Sequence, residues 1–426
     1  MSKKVLIKII LGLLVIVTFI YLLNFFKIGD FLKNTAISNL IIFWILFDFS
    51  YIFYRASLLF LNKRRIYSSE RPLVSILIPA YNEEICIEKT LNSCLFQTYP
   101  NFEIIVINDG SVDKTLEVVD SFIKKQDYYI QNKKINFVVI DKPNQGKAVA
   151  LNSGKDKANG DFLVTIDADS HLSSHAVEKI MNYFTSEDIG AVAGNVVAIY
   201  KDSILGYLQK IEYEMGIYFI RASQSFFGNV LVTPGALSAY RKSAIKNFEE
   251  GTLTEDFDSS VRILEKGYKI IMAPDAICYT QVPLGVSDLI KQRIRWQEGS
   301  LEVFSKHSFH RKSFLVSLEW FFLLLFGFYP LMVKFVSLFA LPLFLISGDY
   351  LNLLHLILLF LSYSVFSYFI LFSIVAYYSH DKKSLLAVPL YVIYFNTVVL
   401  YSVLVAQILI FKGKNQTWGK IKRYHI

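Results

Sequence analysis

Cysteine is scarce. Only Cys86, Cys94 and Cys278 occur in 426 residues, and they form neither a C-x-x-C pair nor an even framework. A disulfide scaffold is therefore excluded, and three free thiols fit a reducing compartment. Charge is also sparse, at 19%, against 54% hydrophobic residues, which excludes a disordered chain. Gly (20) and Pro (10) are too few for a collagen-like repeat, and no internal repeat or low-complexity segment is present. Two nucleotide motifs are missing as well. No G-x-G-x-x-G follows the first strand-like run, so a dinucleotide site is not expected. The segment Asn144-Gln145-Gly146-Lys147-Ala148 resembles a P-loop end, but Asp141 replaces the upstream Gly and Ala148 the Ser/Thr.

What the chain has in excess is apolar and aromatic surface, with 15% Phe, Trp and Tyr and a mean hydropathy of +0.40. Residues 5–26 form an apolar run with one Lys, long enough at about 1.5 Å per residue to span a bilayer core. No small-residue cleavage site follows, so a retained span is expected rather than a signal peptide. A second run, 41–61, carries Asp48 and ends on Lys63-Arg64-Arg65. Long apolar runs return at 314–347, 352–378 and 385–411. The net charge of +8 comes from basic runs that border these stretches, which assigns it to membrane topology and not to nucleic acid. The expected organisation is two N-terminal transmembrane helices (1–65), a cytosolic domain (66–280), an interfacial segment (281–312), three or four transmembrane helices (313–411) and a basic cytoplasmic tail (412–426). That organisation predicts a multi-pass protein of the inner or plasma membrane, with lipid as its surroundings.

Between the apolar blocks the pattern becomes strand–helix alternation. Strand-type runs at 73–78, 103–107, 135–140 and 162–166 alternate with helical stretches at 84–96, 114–125 and 147–157. That order predicts an α/β fold with a mixed, mostly parallel sheet, in which ligands gather at the carboxyl ends of strands. The polar clusters fall there: Tyr81-Asn82-Glu83, Asn108-Asp109-Gly110 and Asp167-Ala168-Asp169.

Each cluster has an ordinary explanation and a chemical one. Asp167 and Asp169 are either a solvated acidic turn or two hard ligands for Mg²⁺ or Mn²⁺. Asp109 before Gly110-Ser111 is common turn chemistry. Thr254-Glu255-Asp256, ahead of a helical stretch from Phe257 to Lys266, is either a Thr cap with acids at a helix N-terminus or a general base. Gln292-Arg293-Ile294-Arg295-Trp296 also reads as a basic surface helix.

Taken in order, these residues resemble the processive family 2 glycosyltransferases, the membrane β-glycan synthases. The resemblance covers about residues 72–300 and includes Pro79 to Glu83, KPNQGKAVALNSG around Lys147, and VTPGALSAYRKSA at 232–244. It implies a cytosolic GT-A glycosyltransferase domain flanked by transmembrane helices. Ala80, Tyr81, Glu83, Asp109, Lys147, Asp167, Gln292 and Arg295 would bind a UDP-sugar donor. Asp169, with Asp167, would hold the metal, Mg²⁺ or Mn²⁺; Asp256, beside Glu255, would be the catalytic base; and Trp296 would floor the site for the growing glycan acceptor.

Within that family the chain looks most like the synthases of poly-β-1,6-N-acetylglucosamine, a biofilm exopolysaccharide made from UDP-GlcNAc, sometimes with a small membrane accessory subunit. That subfamily's Ala-Gln-Gly-Gly after the Trp is Gln297-Glu298-Gly299-Ser300 here, and its Val-Pro-Glu-Thr is Val282-Pro283-Leu284-Gly285. Hyaluronan, chitin or another β-glycan therefore stays open as product, as does transfer to a lipid. Two readings outside the family are a non-catalytic membrane scaffold and a transporter working through Asp48, Glu319 and Lys334.

Overall fold

A computed structural model describes residues 70–200, 203–307 and 383–412, with short pieces at 50–59 and between 319 and 376. The expected spans at 5–26 and 41–61 and most of 313–411, with Asp48 and Lys334, lie largely or wholly outside the described residues. Among the described residues no helix is long and apolar enough to cross a membrane. The chain divides into two compact units, Met1–Tyr54 with Leu324–Ile393, and Arg55–Leu323 with Tyr394–Ile426. The sheet and the candidate site belong to the second.

The second unit is built on one eight-stranded sheet. Its strands are β1 (Val74–Ala80), β2 (Phe102–Asp109), β3 (Phe137–Lys142), β4 (Phe162–Thr165), β5 (Ser170–Leu172), β6 (Ile189–Ile199), β7 (Ser238–Arg241) and β8 (Lys269–Gln281). They lie in the order β3-β2-β1-β4-β7-β6-β8-β5. Pairing is parallel from β3 through β4 and antiparallel around β7, and β6 and β8 are again parallel. A mixed sheet, as expected, is the result.

Strand periodicity distributes the core. Ile76, Ile78, Ile104 and Val106 face one apolar layer, while Leu77, Ile105 and Ile107 face the other. Helices α1 (Ile87–Leu95) and α2 (Thr115–Lys133) cover the first layer with Leu91, Leu95, Val119 and Phe122. On the other face lie α3 (Lys147–Lys157) and α7 (Glu255–Glu265), through Leu151, Phe257 and Val261. Short α4 (Ala176–Met181) precedes β6. Then α5 (Ile204–Glu212), a π-helical turn (Tyr213–Phe219) and α6 (Ile220–Gln224) follow without a break. α8 (Val286–Lys306) follows β8; further along come α9 (Ser384–Tyr394), a second π-helical turn (Phe395–Val399) and α10 (Leu400–Phe411), which packs on α8.

Several boundaries differ from expectation for local reasons. β1 runs one residue past Pro79, although a proline cannot donate to a ladder. The missing donor costs nothing, because β4 has already ended: its last partner on β1 is Leu77. The sheet therefore parts between β1 and β4 at their carboxyl ends. α1 begins at Ile87 and not Glu84, since Asn82 is left-handed (φ 56°) and the Glu83 N–H is bonded to Thr115 Oγ1 at 2.7 Å. α7 begins at Glu255, two residues early, and the expected Thr254 side-chain cap is absent. Gly299 of α8 presses on that side chain instead: a Cβ there would lie 2.4 Å from Thr254 Cγ2.

Two polar networks fix this frame. Buried Glu103 on β2 accepts from Ser75 Oγ (2.6 Å), the Asn159 N–H (2.7 Å) and Asn136 Nδ2 (2.7 Å), joining β1, β2 and the loops before β3 and β4. Burial pushes its pKa up, but the Ser75, Asn159 and Asn136 hydrogen bonds outweigh it and the pKa is lowered. At the end of α8, His307 sits between Asp258 Oδ2 (3.1 Å) and Glu265 Oε1 (3.0 Å), pinning α8 to α7. Its pKa is raised by the Asp258 hydrogen bond, against burial, with Glu265 adding to the effect. In a third contact, buried Glu319 pairs with Arg55 (Nη1–Oε1 2.8 Å) and accepts from Gln224 Nε2 at 3.0 Å. A carboxylate so engaged is a structural partner and not an isolated proton carrier.

Glu103→Leu strands the donors of Ser75, Asn136 and Asn159, and is expected to cost about 3 kcal/mol in chemical denaturation at neutral pH. An unchanged midpoint would refute the staple. For His307 the sign is opposite to that of an acid. A raised imidazole pKa stabilises fully below the unfolded value of about 6.5, and the gain vanishes as pH rises through the folded value. The difference in melting temperature between the protein and His307→Gln should therefore be largest near pH 6 and shrink above neutrality.

Candidate active site

The open end of β1 and β4 receives residues from four loops and two helix starts. After β1, the left-handed Asn82 accepts from the Val112 N–H through Oδ1 (2.7 Å), and its own N–H donates to Ser111 Oγ (2.9 Å). The loops after β1 and β2 are thus buttoned together. Ala80 is buried at the strand end, Tyr81 is exposed, and the Glu83 side chain is largely buried where its carbonyl accepts the first N–H groups of α1.

Asp109, at the end of β2, is buried and turned toward its own chain. It accepts from Lys142 Nζ (2.7 Å) and the N–H groups of Gln145 (3.1 Å) and Gly146 (2.8 Å). Gly110 must be glycine: its φ is 69°, and a Cβ would come within 2.5 Å of the Asn144 backbone nitrogen. Together they set the loop that delivers Lys147 at the first position of α3.

Lys147 is the meeting point. Its Nζ lies 2.6 Å from Asp167 Oδ1 and 2.8 Å from Glu255 Oε1. Burial works against its charge, but Asp167, Glu255 and Asp256 hold its pKa well above the usual lysine range. Gly235, in the loop before β7, fills the remaining space: a Cβ there would stand 2.7 Å from Lys147 Nζ and 3.5 Å from both Asp167 Oδ2 and Asp256 Oδ2. That loop is fixed from behind by Thr233 Oγ1, bonded to Tyr240 Oη (2.8 Å) and Ser260 Oγ (2.7 Å).

Asp256 is held differently from its neighbour Glu255. Its Oδ2 accepts the Gly235 N–H (3.0 Å) and its Oδ1 the Phe257 N–H (2.8 Å). Burial and then the Glu255 carboxylate raise its pKa to about 6, with Lys147 pulling the other way. Glu255 is buried and ion-paired to Lys147, so the two adjacent acids have distinct surroundings.

Asp169 follows one residue beyond Ala168, partly exposed, with the Ser170 hydroxyl donating to its Oδ1 at 2.9 Å. No cluster of three or more metal-type side chains occurs among the described residues. The available set is the Asp167 and Asp169 pair. Two carboxylates suit a hard divalent cation whose remaining ligands come from phosphate and water.

On α8, Gln292, Arg295 and Trp296 lie on one helix whose Gly299 touches the residue before Glu255. Trp296 packs against the core, 6.4 Å from the ring of Tyr213. The structure thus brings Lys147 into direct contact with Asp167 and Glu255, with Asp256 beside them on the Gly235 N–H. It sets Asp109 behind Lys147 as support, and brings the Gln292-to-Trp296 helix alongside.

Sequence reasoning missed four participants. Gly235 and Tyr213 carry no charge to notice. Arg293 is masked by the basic residues of its own motif, and its Cζ lies 4.1 Å from the Trp296 ring centroid. Arg221 is a lone cation in an apolar helical stretch; its Nη1 is buried without a hydrogen-bond partner among the described residues. Burial lowers its pKa to about 10, partly offset by the field of Asp256.

Comparison with known proteins bears on the family and the fold. The family model described as Glycosyl transferase family 2 matches residues 75–248, and that described as Glycosyl transferase family group 2 matches residues 162–409, more than half of the chain. A poly-beta-1,6-N-acetyl-D-glucosamine synthase from Staphylococcus epidermidis is 35% identical over 269 residues, 62% of this chain and 63% of that protein. The Staphylococcus aureus counterpart is 35% identical over 274 residues, 63% and 64% of the two chains. The match therefore spans just under two thirds of the length of these relatives. A mannosyltransferase from Pyrobaculum calidifontis, solved in complex with GDP-Man and Mn²⁺, superposes with a TM-score of 0.56 at 18% identity, over 86% of this chain and 94% of that one. This last likeness speaks for the fold alone. With a GT-A sheet, an Asp-x-Asp turn at its open edge and family models covering both halves of the domain, the chain belongs to the family 2 glycosyl transferases.

Proposed function

We propose that the protein is an inverting, processive β-glycosyltransferase that uses UDP-GlcNAc to elongate poly-β-1,6-N-acetylglucosamine. The observation that carries the chemistry is Asp256: a carboxylate with a pKa of about 6, oriented by two backbone N–H groups and set beside a lysine-paired Glu255. Such a group is ionised at neutral pH yet basic enough to take a proton. The choice of donor and polymer rests on the two Staphylococcus relatives named above.

In this mechanism an acceptor hydroxyl donates its proton to Asp256 as its oxygen bonds to the donor's anomeric carbon. The bond from that carbon to the diphosphate breaks, UDP departs with the electron pair, and the α-linked donor becomes a β-linked product. Lys147, Arg295 and the Gln292 amide supply donors and positive charge to the leaving diphosphate. Asp167 and Asp169 would hold Mg²⁺ or Mn²⁺, which supplies further charge against the diphosphate. Ala80, Tyr81, Glu83 and Asp109 border the donor pocket; Asp109 acts through the loop that places Lys147, and Trp296 gives the acceptor sugar an apolar platform. The apolar runs at 5–26, 41–61 and 313–411 would anchor the enzyme in the cell membrane, its catalytic domain cytoplasmic, and guide the product outward.

A donor screen on membranes carrying the protein tests this reading. UDP-GlcNAc, UDP-glucose and UDP-glucuronate are compared with and without EDTA, and the product is digested by linkage-specific hydrolases. UDP release from UDP-GlcNAc alone, lost with EDTA and restored by Mg²⁺ or Mn²⁺, is expected; consumption of no donor would sink the transferase assignment. Asp256→Asn should lower kcat by roughly 10²–10⁴-fold while UDP still binds. In the unmodified enzyme, kcat should rise with pH through about 6 and then level, because only the ionised carboxylate accepts the proton. A flat profile across that range would reassign the base.

A further inference from the structure

Arg293 is only 3% exposed, yet it is fully committed. Its Nε and Nη2 each lie 2.8 Å from a carboxylate oxygen of Glu212, the last residue of α5. Its Nη1 donates to the side-chain oxygen of Gln292, and its guanidinium sits over Trp296, with Cζ 4.1 Å from the ring centroid. Glu212 in turn accepts from the Tyr394 hydroxyl at 2.5 Å. One planar cation therefore touches both ends of the Gln292-to-Trp296 motif and the residue just before the π-helical turn that carries Tyr213.

The chemistry of each contact has a consequence. With its carbonyl oxygen engaged by Arg293, the Gln292 amide is held with its NH2 donors turned away from that cation, and N–H donors are what a diphosphate accepts. With the guanidinium stacked on it, the Trp296 indole is fixed in plane and its occupied face is denied to a sugar. Lysine could pair with Glu212, but it has neither the planar fork nor the stacking surface. A buried ion pair adds little net stability over a well-packed apolar pair, so stability alone does not account for it.

We infer that the Arg293–Glu212 pair is a positioning clamp that sets the Gln292 donors and the Trp296 platform together, coupling the donor and acceptor subsites of one helix. This rests on the proposed transferase reading, and Arg293 acts through its neighbours without touching the reacting atoms.

The test uses the full chain in membranes or nanodiscs, with Arg293→Lys, Glu212→Gln, the double variant and Tyr394→Phe. UDP release from UDP-GlcNAc, product length and the Kd of UDP are measured together. Quenching of Trp296 fluorescence by acrylamide is read as the difference from Trp296→Phe. Arg293→Lys should cut polymer formation on the order of tenfold or more, shorten the product, weaken UDP binding and increase Trp296 quenching. Glu212→Gln should do the same in smaller measure, and the double variant should lose no more than the worse single, because both break one pair. Tyr394→Phe keeps the pair and should leave Trp296 quenching unchanged. It thus controls for general loosening, and Glu212→Gln carries the test if Arg293→Lys fails to fold. Unchanged product length and quenching in Arg293→Lys, or strictly additive losses in the double variant, would overturn the clamp. If the unsubstituted protein consumes no UDP-sugar, the transferase reading falls, while the quenching series still decides whether Arg293 and Glu212 hold Trp296.

Discussion

One ammonium group among three carboxylates governs the site. Asp167, from the turn after β4, and the adjacent Glu255 and Asp256, from the start of α7, would repel one another in a partly buried space. Lys147 makes their approach tolerable, touching Asp167 and Glu255 directly and lowering the cost of a charge on Asp256. Its own position is dictated from behind, by the Asp109 carboxylate that gathers Lys142 and the Gln145 and Gly146 N–H groups. The sheet contributes the gap: β4 stops short of Pro79, and Gly235 alone is small enough to close over the lysine.

The same economy appears in the continuous helical stretch from Ile204 to Gln224. Glu212 reaches Arg293 and Tyr394, Tyr213 approaches Trp296, Arg221 feels Asp256, and Gln224 meets Glu319. A regular α-helix repeats its faces every 3.6 residues; the π-helical turn at Tyr213–Phe219 shifts that phase midway. Side chains from the two halves can then serve different neighbours from one rigid element.

Much of this was legible in the residues themselves. Short continuous apolar runs mark β1, β2 and β4 as strands because each is buried on both faces. α3 was expected at its observed bounds, Lys147–Lys157, since Gly146 breaks the chain just before it. α2 ran eight residues beyond its expected end at Lys125, to Lys133, where Lys134 takes a left-handed conformation and its N–H bonds back to Ile130 and Gln131. Thr254 looked like a helix cap, and the tertiary neighbour Gly299 took its side chain instead. Arg221 and Glu212 give no local signal, because a charge on a helix does not name a partner far away in the chain.

The sequence alone determined the strand–helix order, the acids at strand ends and the apolar blocks on either side, since periodicity and turn chemistry are properties of neighbouring residues. Only the tertiary structure decided which partners each acid meets. Glu255 and Asp256 are adjacent in the chain and alike in chemistry; they part because one meets Lys147 and the other meets two backbone N–H groups in a largely desolvated corner. Charge interactions and desolvation depend on distance through space, and those distances are set by residues up to some hundred positions away in the chain, Lys147 and Glu255 among them.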